Sequence, residues 1–434
     1  MILLYSPTIP ERLRYIAEFV IRQILGGEIA FTDDLDLFSS SALPRINYSS
    51  IPIHGTFHIS PSGLLDETGI TPFRPETGRQ NDLDFLFPTT KGNLPFDLFS
   101  AAFYMVTRYE EYYSQATDRW KRYMCEDSIS YDMGWIETPI VDHWALFFKD
   151  SIDRFFSQTI KWKTPPFKFT STIDVDYPYA YRSKSVLLHL LRVLNDLIRF
   201  NIETVKQRIR VLLMKEEDPY FVFDEINRWH EEAGLDVRYF VHVGPYGRHD
   251  RKTIYPTVFY YLKLKEMAET KPIGSHPSYF ATFRRRATEF EINKLSRIIG
   301  KPTTANRQHY LRFRLPDTYR MLSQLGIKED YSMGYASRYG FRAGTCHPHL
   351  FFDVEQNIAY PLTIHPTIVM DTTLNKYMHL SPEISLEHIR EMVEACKQVN
   401  GEFVLLFHNS SMADMFGWTG WKNTFLTILN ENRR

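Results

Sequence analysis

The chain opens on a short apolar run, Ile2–Tyr5, followed over residues 10–25 by apolar Leu13, Ile16, Val20 and Ile24 at helical spacing. The first pattern predicts a strand and the second a helix with one buried face. Short runs at 28–31, 45–48 and 56–59 predict further strands, and longer patterns at 96–113 and 144–156 predict helices. Residues 159–168, which contain Thr164-Pro165-Pro166, break both periods, because consecutive prolines oppose helix and withhold ladder donors. Beyond them, apolar or β-branched runs at 167–174, 237–243, 272–276, 303–310, 327–332, 362–370 and 403–408 mostly alternate with helix-length, charge-laced stretches. Such alternation predicts an α/β protein with a largely parallel sheet and helices outside it. Over about 265 residues a closed or nearly closed (β/α) barrel is the economical solution, and a doubly wound open sheet comes second. The expected division is a smaller α/β domain at 1–162, its role unassigned, and the barrel at 166–434, with a helical insertion at 181–235.

Within that insertion, residues 182–215 carry eight Lys and Arg side chains against Asp196 and Glu203, and Leu187, Leu188, Leu191, Leu194, Leu197 and Ile198 supply an apolar face. The first expectation is a helical element packed on its own domain with a solvated basic side. The alternative is a peripheral membrane element, since basic faces are drawn to anionic lipid. Its position directly after the strand ending at residue 174 predicts that it lies beside the rim of the active site.

Charge changes the picture by exclusion. Lys and Arg number 51 against 52 Asp and Glu, a net charge of −1, which argues against a general nucleic-acid binder. The three cysteines, Cys125, Cys346 and Cys396, are scattered and fall in no CxxC pattern, so neither a disulfide framework nor a cysteine zinc site is expected. The opening residues lack a basic segment and a secretory apolar core, and no run reaches membrane-spanning length. The expected location is cytoplasmic, with peripheral contact at the inner membrane if residues 182–215 bind lipid. Aromatic residues make up 15% of the chain, which suits a large core first and a sugar-binding cleft lined by some of the rings second.

Candidate chemistry collects at the carboxyl ends of the predicted strands, where (β/α) architectures place their functional groups. The run Thr172-Ile173-Asp174-Val175-Asp176-Tyr177 puts two carboxylates on one strand face, about 6 to 7 Å apart. Like charges that close call for a cation or a shared proton. His276 ends the third strand and His408 the last, and Arg307-Gln308-His309-Tyr310 places Arg307 and His309 on one face if it is extended. One Asp with two His is a good ligand set for Zn²⁺ or a similar ion, with positions left for water and substrate. Asp371 follows a strand and offers either a partner for a histidine or a turn cap. Asp330 is a further carboxylate at a strand end. Cys346-His347-Pro348-His349 is a rival metal cluster without an assigned carboxylate. Trp418 and Trp421 follow His408 closely enough to line a sugar site or to pack.

In this order, Thr-Ile-Asp-Val-Asp, His276, Arg307-Gln-His-Tyr and Leu-Leu-Phe-His408 resemble the polysaccharide deacetylases of the NodB-homology, carbohydrate esterase group, in a subgroup with an extra N-terminal domain of unknown function. The resemblance covers residues 167–434. It implies a distorted, TIM-like (β/α) barrel of about seven strands and a zinc-type divalent metal. It further implies hydrolysis of an acetyl group from a carbohydrate, at a C–N bond other than a peptide bond or at an acetyl ester, in cell-surface polysaccharide metabolism. By the same resemblance Asp174 matches the base, Asp176 and His276 metal ligands, Arg307 the residue that orients the base, and His408 the general acid. The family motif has a second histidine four residues after the first, where this chain has Phe280. His309 is the expected substitute, Asp371 the expected partner of His408, and Tyr177, Tyr310 and Trp418 the expected contacts to substrate. If His309 fails as a ligand, the chain reads instead as an inactive saccharide-binding relative acting as a binding or scaffold protein. Glycoside cleavage by the paired carboxylates ranks third, because it leaves the histidines unexplained.

Overall fold

The computed structural model describes residues 1–433 except 115, 158–159, 246, 248 and 251–257. Residue 159 of the proline-broken stretch therefore lies outside the described residues. The opening apolar run forms β1 (Ile2–Tyr5), which pairs in parallel with β2 (Ile29–Thr32) and β3 (Arg45–Tyr48), and β3 with β4 (Phe57–Ile59). The helix Glu11–Glu18 continues through a wider turn, Phe19–Ile24, and its predicted stripe Leu13, Ile16, Val20 and Ile24 is fully buried against this sheet. A hairpin of β5 (Thr77–Gln80) and β6 (Leu83–Leu86) precedes the helices Leu98–Val106 and Ile140–Phe155.

The second sheet has nine strands among the described residues. Its members are β7 (Lys168–Val175), β8 (Val237–Val241), β9 (Ile273–Ser275), β10 (Ala305–Asn306), β11 (Glu329–Asp330), β12 (His349–Asp353), β13 (Ile358–Ile364), β14 (Val369–Met370) and β15 (Glu402–His408), in the order β12-β13-β11-β10-β9-β8-β7-β15-β14. All neighbours pair in parallel except β12 with β13. No closed barrel is found among the described residues. The sheet is open, with β12 and β14 as its edges, yet it curls strongly enough for Arg307, just past β10, to reach Asp174 on β7 across two intervening strands.

Side chains and single backbone bonds span the gap where a closing ladder would run. The segment between β13 and β14 donates from His365 N to Asp330 O on one side and from Ile368 N to Val404 O on the other. His365 Nδ1 lies 2.7 Å from Glu402 Oε2 on β15, and its Nε2 lies 3.5 Å from Glu329 Oε1 on β11. Burial raises the Glu402 carboxyl, but His365 and Lys168 outweigh it and bring it down to about 2. Hydrogen bonding from His365, against burial and with Arg238, brings Glu329 to about 2 as well. Both acids are depressed, so their stabilisation is present above pH 4.5 and is lost as pH falls towards 2. The urea midpoint is expected to drop through this window, and Glu402→Gln to flatten the slope. An unchanged slope would show that the pair does not hold the seam.

Several predicted boundaries shift. The predicted strand at 362–370 splits into β13 and β14, and that at 303–310 shrinks to β10. The basic region is two helices, Val186–Ile198 and Ile202–Leu212, rather than one. Helix Phe223–Ala233, expected within the insertion, instead buries Phe223, Ile226, His230 and Ala233 in the core beneath the nine-stranded sheet. No helix among the described residues is long and apolar enough to cross a membrane.

Candidate metal centre and active site

The eight parallel strands of the nine-stranded sheet, all but β12, end at one side of the curl, so the order of those strands sets the order of the chemistry. Asp174 and Asp176 come from the end of β7, His276 from the end of β9 and His408 from the end of β15. A cavity of about 300 Å³ opens there, lined by both aspartates and by His276, His309 and His408.

His309 reaches the same place by a route different from that expected. Past β10 the backbone leaves the strand, and His309 begins a helical turn, His309–Leu311, in which Tyr310 takes a left-handed φ of 65°. The alternation rule therefore does not apply. Arg307 turns inward beneath the cavity and His309 stands at its wall.

Asp176 lies at the centre. Its Oδ1 is 3.2 Å from His276 Nε2, and its Oδ2 is 3.4 Å from His309 Nε2. The His276 ring donates from Nδ1 to the Arg307 carbonyl at 2.8 Å, so that the tautomer this bond selects for a neutral ring presents a lone pair at Nε2. Two acceptors thus face each other inside the protein, and both Asp176 Oδ1 and His276 Nε2 are buried without a hydrogen-bond partner. Such an arrangement is costly unless a cation or proton sits between them. His309 is backed by Asp250, whose Oδ1 lies 3.1 Å from Nδ1, the carboxylate–histidine support that metal-binding imidazoles commonly have. Burial opposes a charge on His309, but Asp176 and Asp250 outweigh it and raise the ring to about 9. The same negative field that holds a proton there favours a divalent cation.

Asp174 is set apart from this trio. Arg307 Nη1 donates to its Oδ1 at 2.8 Å and to Thr172 Oγ1 at 2.8 Å, while Arg307 Nε donates to Tyr331 O at 2.9 Å. The guanidinium is fully buried and stacks 4.5 Å over Phe240, so it cannot swing away. Opposite, His408 Nδ1 lies 2.7 Å from Asp371 Oδ1, and the His408 backbone N–H donates to Asp371 Oδ2 at 2.8 Å. The carboxylate fixes both the ring and its tautomer, aiming Nε2 at the cavity, 3.8 Å from Asp176 Oδ2. Burial opposes the imidazolium, but Asp371, Asp176 and Asp174 outweigh it and raise His408 to about 10.

Tyr177, Tyr310 and Trp418 all line the cavity, whereas Trp421 packs in the core on Phe407 and Phe425. Asp330 is remote from His408, its carboxylate bound by Asn306 Nδ2 and Ser332. The rival cluster has a carboxylate after all, Asp142, grouped with Cys346 and His347. That carboxylate already accepts from Thr345 Oγ1 at 2.6 Å and Cys346 N at 3.0 Å. His349 turns its Nδ1 to the His347 carbonyl and shares no site with it. Phe280, in the place of the absent histidine, is 53% exposed.

Four contributors escape the sequence reading. Asp250 sits in the loop beyond β8, and His242 just past the end of β8 completes a second grouping with Asp250 and His309. The strand-end rule would have found His242. Arg122 crosses from the N-terminal part of the chain, donating to Tyr310 O at 3.1 Å and Tyr377 OH at 3.1 Å, and Lys376 lies 4.9 Å over Trp418. No local pattern marks either cation.

A family of unknown function (DUF7033) matches residues 2–157. No curated protein matches the chain. Among solved structures, the chain is similar to a protein of Mycobacterium smegmatis assigned to the polysaccharide deacetylases, at 14% identity and a TM-score of 0.41, over 62% of this chain and 85% of that one. It is also similar to the Puue allantoinase, at 10% identity and a TM-score of 0.40, over 61% and 83%. A third likeness is to the polysaccharide deacetylase Bc1974 of Bacillus cereus, at 12% identity and a TM-score of 0.30, over 61% and 88%.

Proposed function

We propose that the chain is a metal-dependent hydrolase that removes an acetyl group, as amide or ester, from a carbohydrate. The observation that carries this reading is the unpartnered contact of Asp176 Oδ1 with His276 Nε2, flanked by an aspartate held by arginine and a histidine held by aspartate. Asp176, His276 and His309 are the residues that would hold a divalent ion, Zn²⁺ by the chemistry of one carboxylate and two imidazoles. Such an ion supplies Lewis acidity and makes water a usable nucleophile near neutral pH.

The chain's own residues divide the proton work. Asp174, fixed by Arg307 and facing the trio, takes the proton from the attacking water. His408 carries a proton on Nε2 and gives it to the departing sugar amine or alcohol, while Asp371 stabilises the imidazolium before that transfer. Tyr177, Tyr310 and Trp418 present flat faces with polar tips, which suit a sugar ring. Arg122 buttresses the turn that carries His309 and Tyr310, giving the N-terminal part of the chain a role in shaping the cavity.

Metal content is the direct test. Protein purified without chelator is expected to carry about one equivalent of divalent metal. His276→Ala and His309→Ala should each lower occupancy strongly, and Asp250→Asn should do so by about 10- to 100-fold in affinity. Full occupancy in both histidine variants would overturn the site. Metal bound in the wild type without acetate release from any acetylated sugar would favour the silent saccharide-binding protein.

A further inference from the structure

The helix Val186–Ile198 has the sequence of a buried helix and the surroundings of an exposed one. It starts at Ser185, whose hydroxyl accepts from Leu188 N, and its leucines recur at the spacing of a core-facing stripe. No residue in it is buried. Leu187, Leu190, Leu191, Leu194 and Ile198 are 67%, 62%, 56%, 56% and 68% exposed. The turn to the next helix presents Phe200 at 88%, and the second helix ends with Leu213 at 61% and Met214 at 74%. Isolated exposed leucines need no explanation, but a contiguous apolar face of this size marks an interaction surface.

The charges around that face select the partner. Residues 182–215 hold eight Lys and Arg against two acids. Three of those cations are paired, Arg208 with Asp196, Lys206 with Glu203 and Arg210 with Glu216. Lys184, Arg192, Arg199 and Lys215 make no ion pair among the described residues. A second copy of this cationic face would repel the first, whereas an anionic surface satisfies apolar and basic groups together. At about 1.5 Å per residue the helix is roughly 20 Å long, suited to lying in a bilayer interface rather than crossing it.

Position adds a third argument. Tyr177 and Tyr220 line the cavity of Asp174 and also a smaller adjoining hollow of about 260 Å³. That hollow is walled by Lys184, Arg192 and Phe416, at the foot of the apolar helix. Metal trio, aromatic wall, cation pair and hydrocarbon-like face thus follow one another along the surface.

We infer that residues 186–214 form a docking hairpin that lies in the headgroup region of an anionic lipid bilayer, with Arg192 and Arg199 set to meet lipid phosphates, so that the cavity opens beside the membrane. The apolar stripe enters the acyl boundary and the cations remain at headgroup level.

The test uses the full chain and no catalysis, so it stands or falls apart from the hydrolase reading. The protein is sedimented with vesicles of equimolar phosphatidylglycerol and phosphatidylcholine, and with vesicles of phosphatidylcholine alone, at low and high salt. The expected result is partition onto the anionic vesicles, weakened by salt and at least about tenfold stronger than onto neutral ones. Leu190→Asp with Leu194→Asp should abolish it. Arg192→Glu with Arg199→Glu should remove the preference for anionic lipid. Leu190, Leu194 and Arg199 are exposed and Arg192 is half-buried, so unchanged thermal melting is the check that each variant folds. Absence of partition at low salt, partition that survives the leucine substitutions, or a concentration-dependent dimer dispersed by those substitutions without vesicle binding would each overturn the proposal.

Discussion

Replacing Asp174 by Asn is expected to lower acetate release from acetylated sugars by about 10²- to 10⁴-fold while leaving the bound metal in place. The two halves of that result separate the roles of the paired aspartates. Asp174 is anchored by Arg307 at 2.8 Å and its nearer approach to the trio, Oδ2 to His276 Nε2, is 3.7 Å. Asp176 instead touches His276 and His309 at 3.2 and 3.4 Å. An amide at 174 keeps an oxygen for the Arg307 hydrogen bond and loses the ability to accept a proton. Asp176→Asn should release the metal and lose the rate together with it. Rate loss with metal loss at 174 would make that aspartate a ligand, and an unchanged rate would remove it from the reaction. Acetate assay and elemental analysis on the same preparations decide between these outcomes.

The sequence made the strand ends legible wherever a strand was long enough to show a period. β7 and β15 are strands of eight and seven residues, most of them apolar or β-branched, and the side chains in question sit at their carboxyl ends, Asp174 with Asp176 at β7 and His408 at β15. His276 and Arg307 were found because a short apolar stretch still pointed to them. What could not be read is how the sheet curls. Strands β10, β11 and β14 are two residues each, too short to carry an alternation, and their pairing rests on contacts between residues distant in the chain. The His365 bridge between β11 and β15 has no local signature either. For the same reason the supports of the site, Asp250 behind His309 and Arg122 behind Tyr310, were out of reach, because each arrives on a loop whose position tertiary packing decides.

The absent second histidine illustrates the difference between motif and geometry. A histidine four residues after His276 would sit on the same loop, and the chain places exposed Phe280 there. His309 approaches from the neighbouring strand end, and its ring centroid comes within 4.8 Å of that of His276. A ligand set needs convergent lone pairs rather than a fixed sequence spacing. The turn that carries His309 is left-handed at Tyr310, where Arg122 donates to the Tyr310 carbonyl, and Asp250 holds the His309 ring. Arg122 ties this turn to the N-terminal part of the chain.

That dependence extends to stability, where Glu111→Ala is expected to cost about 3 to 5 kcal/mol. The Glu111 side chain is only 5% exposed and lies between Arg108 and Arg342. It accepts from Arg342 Nη2 at 2.6 Å and Nε at 2.9 Å, and from Arg108 Nε at 2.8 Å. Burial pushes its carboxyl up, but the two guanidiniums prevail and hold it below the ordinary range. Arg108 has a second acid in Glu110 at 2.7 Å, whereas among the described residues Arg342 has no acid besides Glu111 and keeps the Gly334 carbonyl at 3.0 Å and the Phe313 ring at 4.3 Å. Truncation at 111 therefore leaves the Arg342 charge buried without a counterion, and desolvation of that charge is the source of the penalty. Glu203→Ala, which removes a solvent-exposed pair with Lys206, should leave the urea midpoint close to that of the wild type and serves as the control. Urea unfolding followed by tryptophan fluorescence measures both. Because Glu111 joins residues 231 positions apart, its loss should also split a single transition towards two, the N-terminal sheet and the curled sheet unfolding separately. A cost below that of the control would mean that the apolar contacts of Phe352 and Val354 with the N-terminal core hold the two parts together without the ion network.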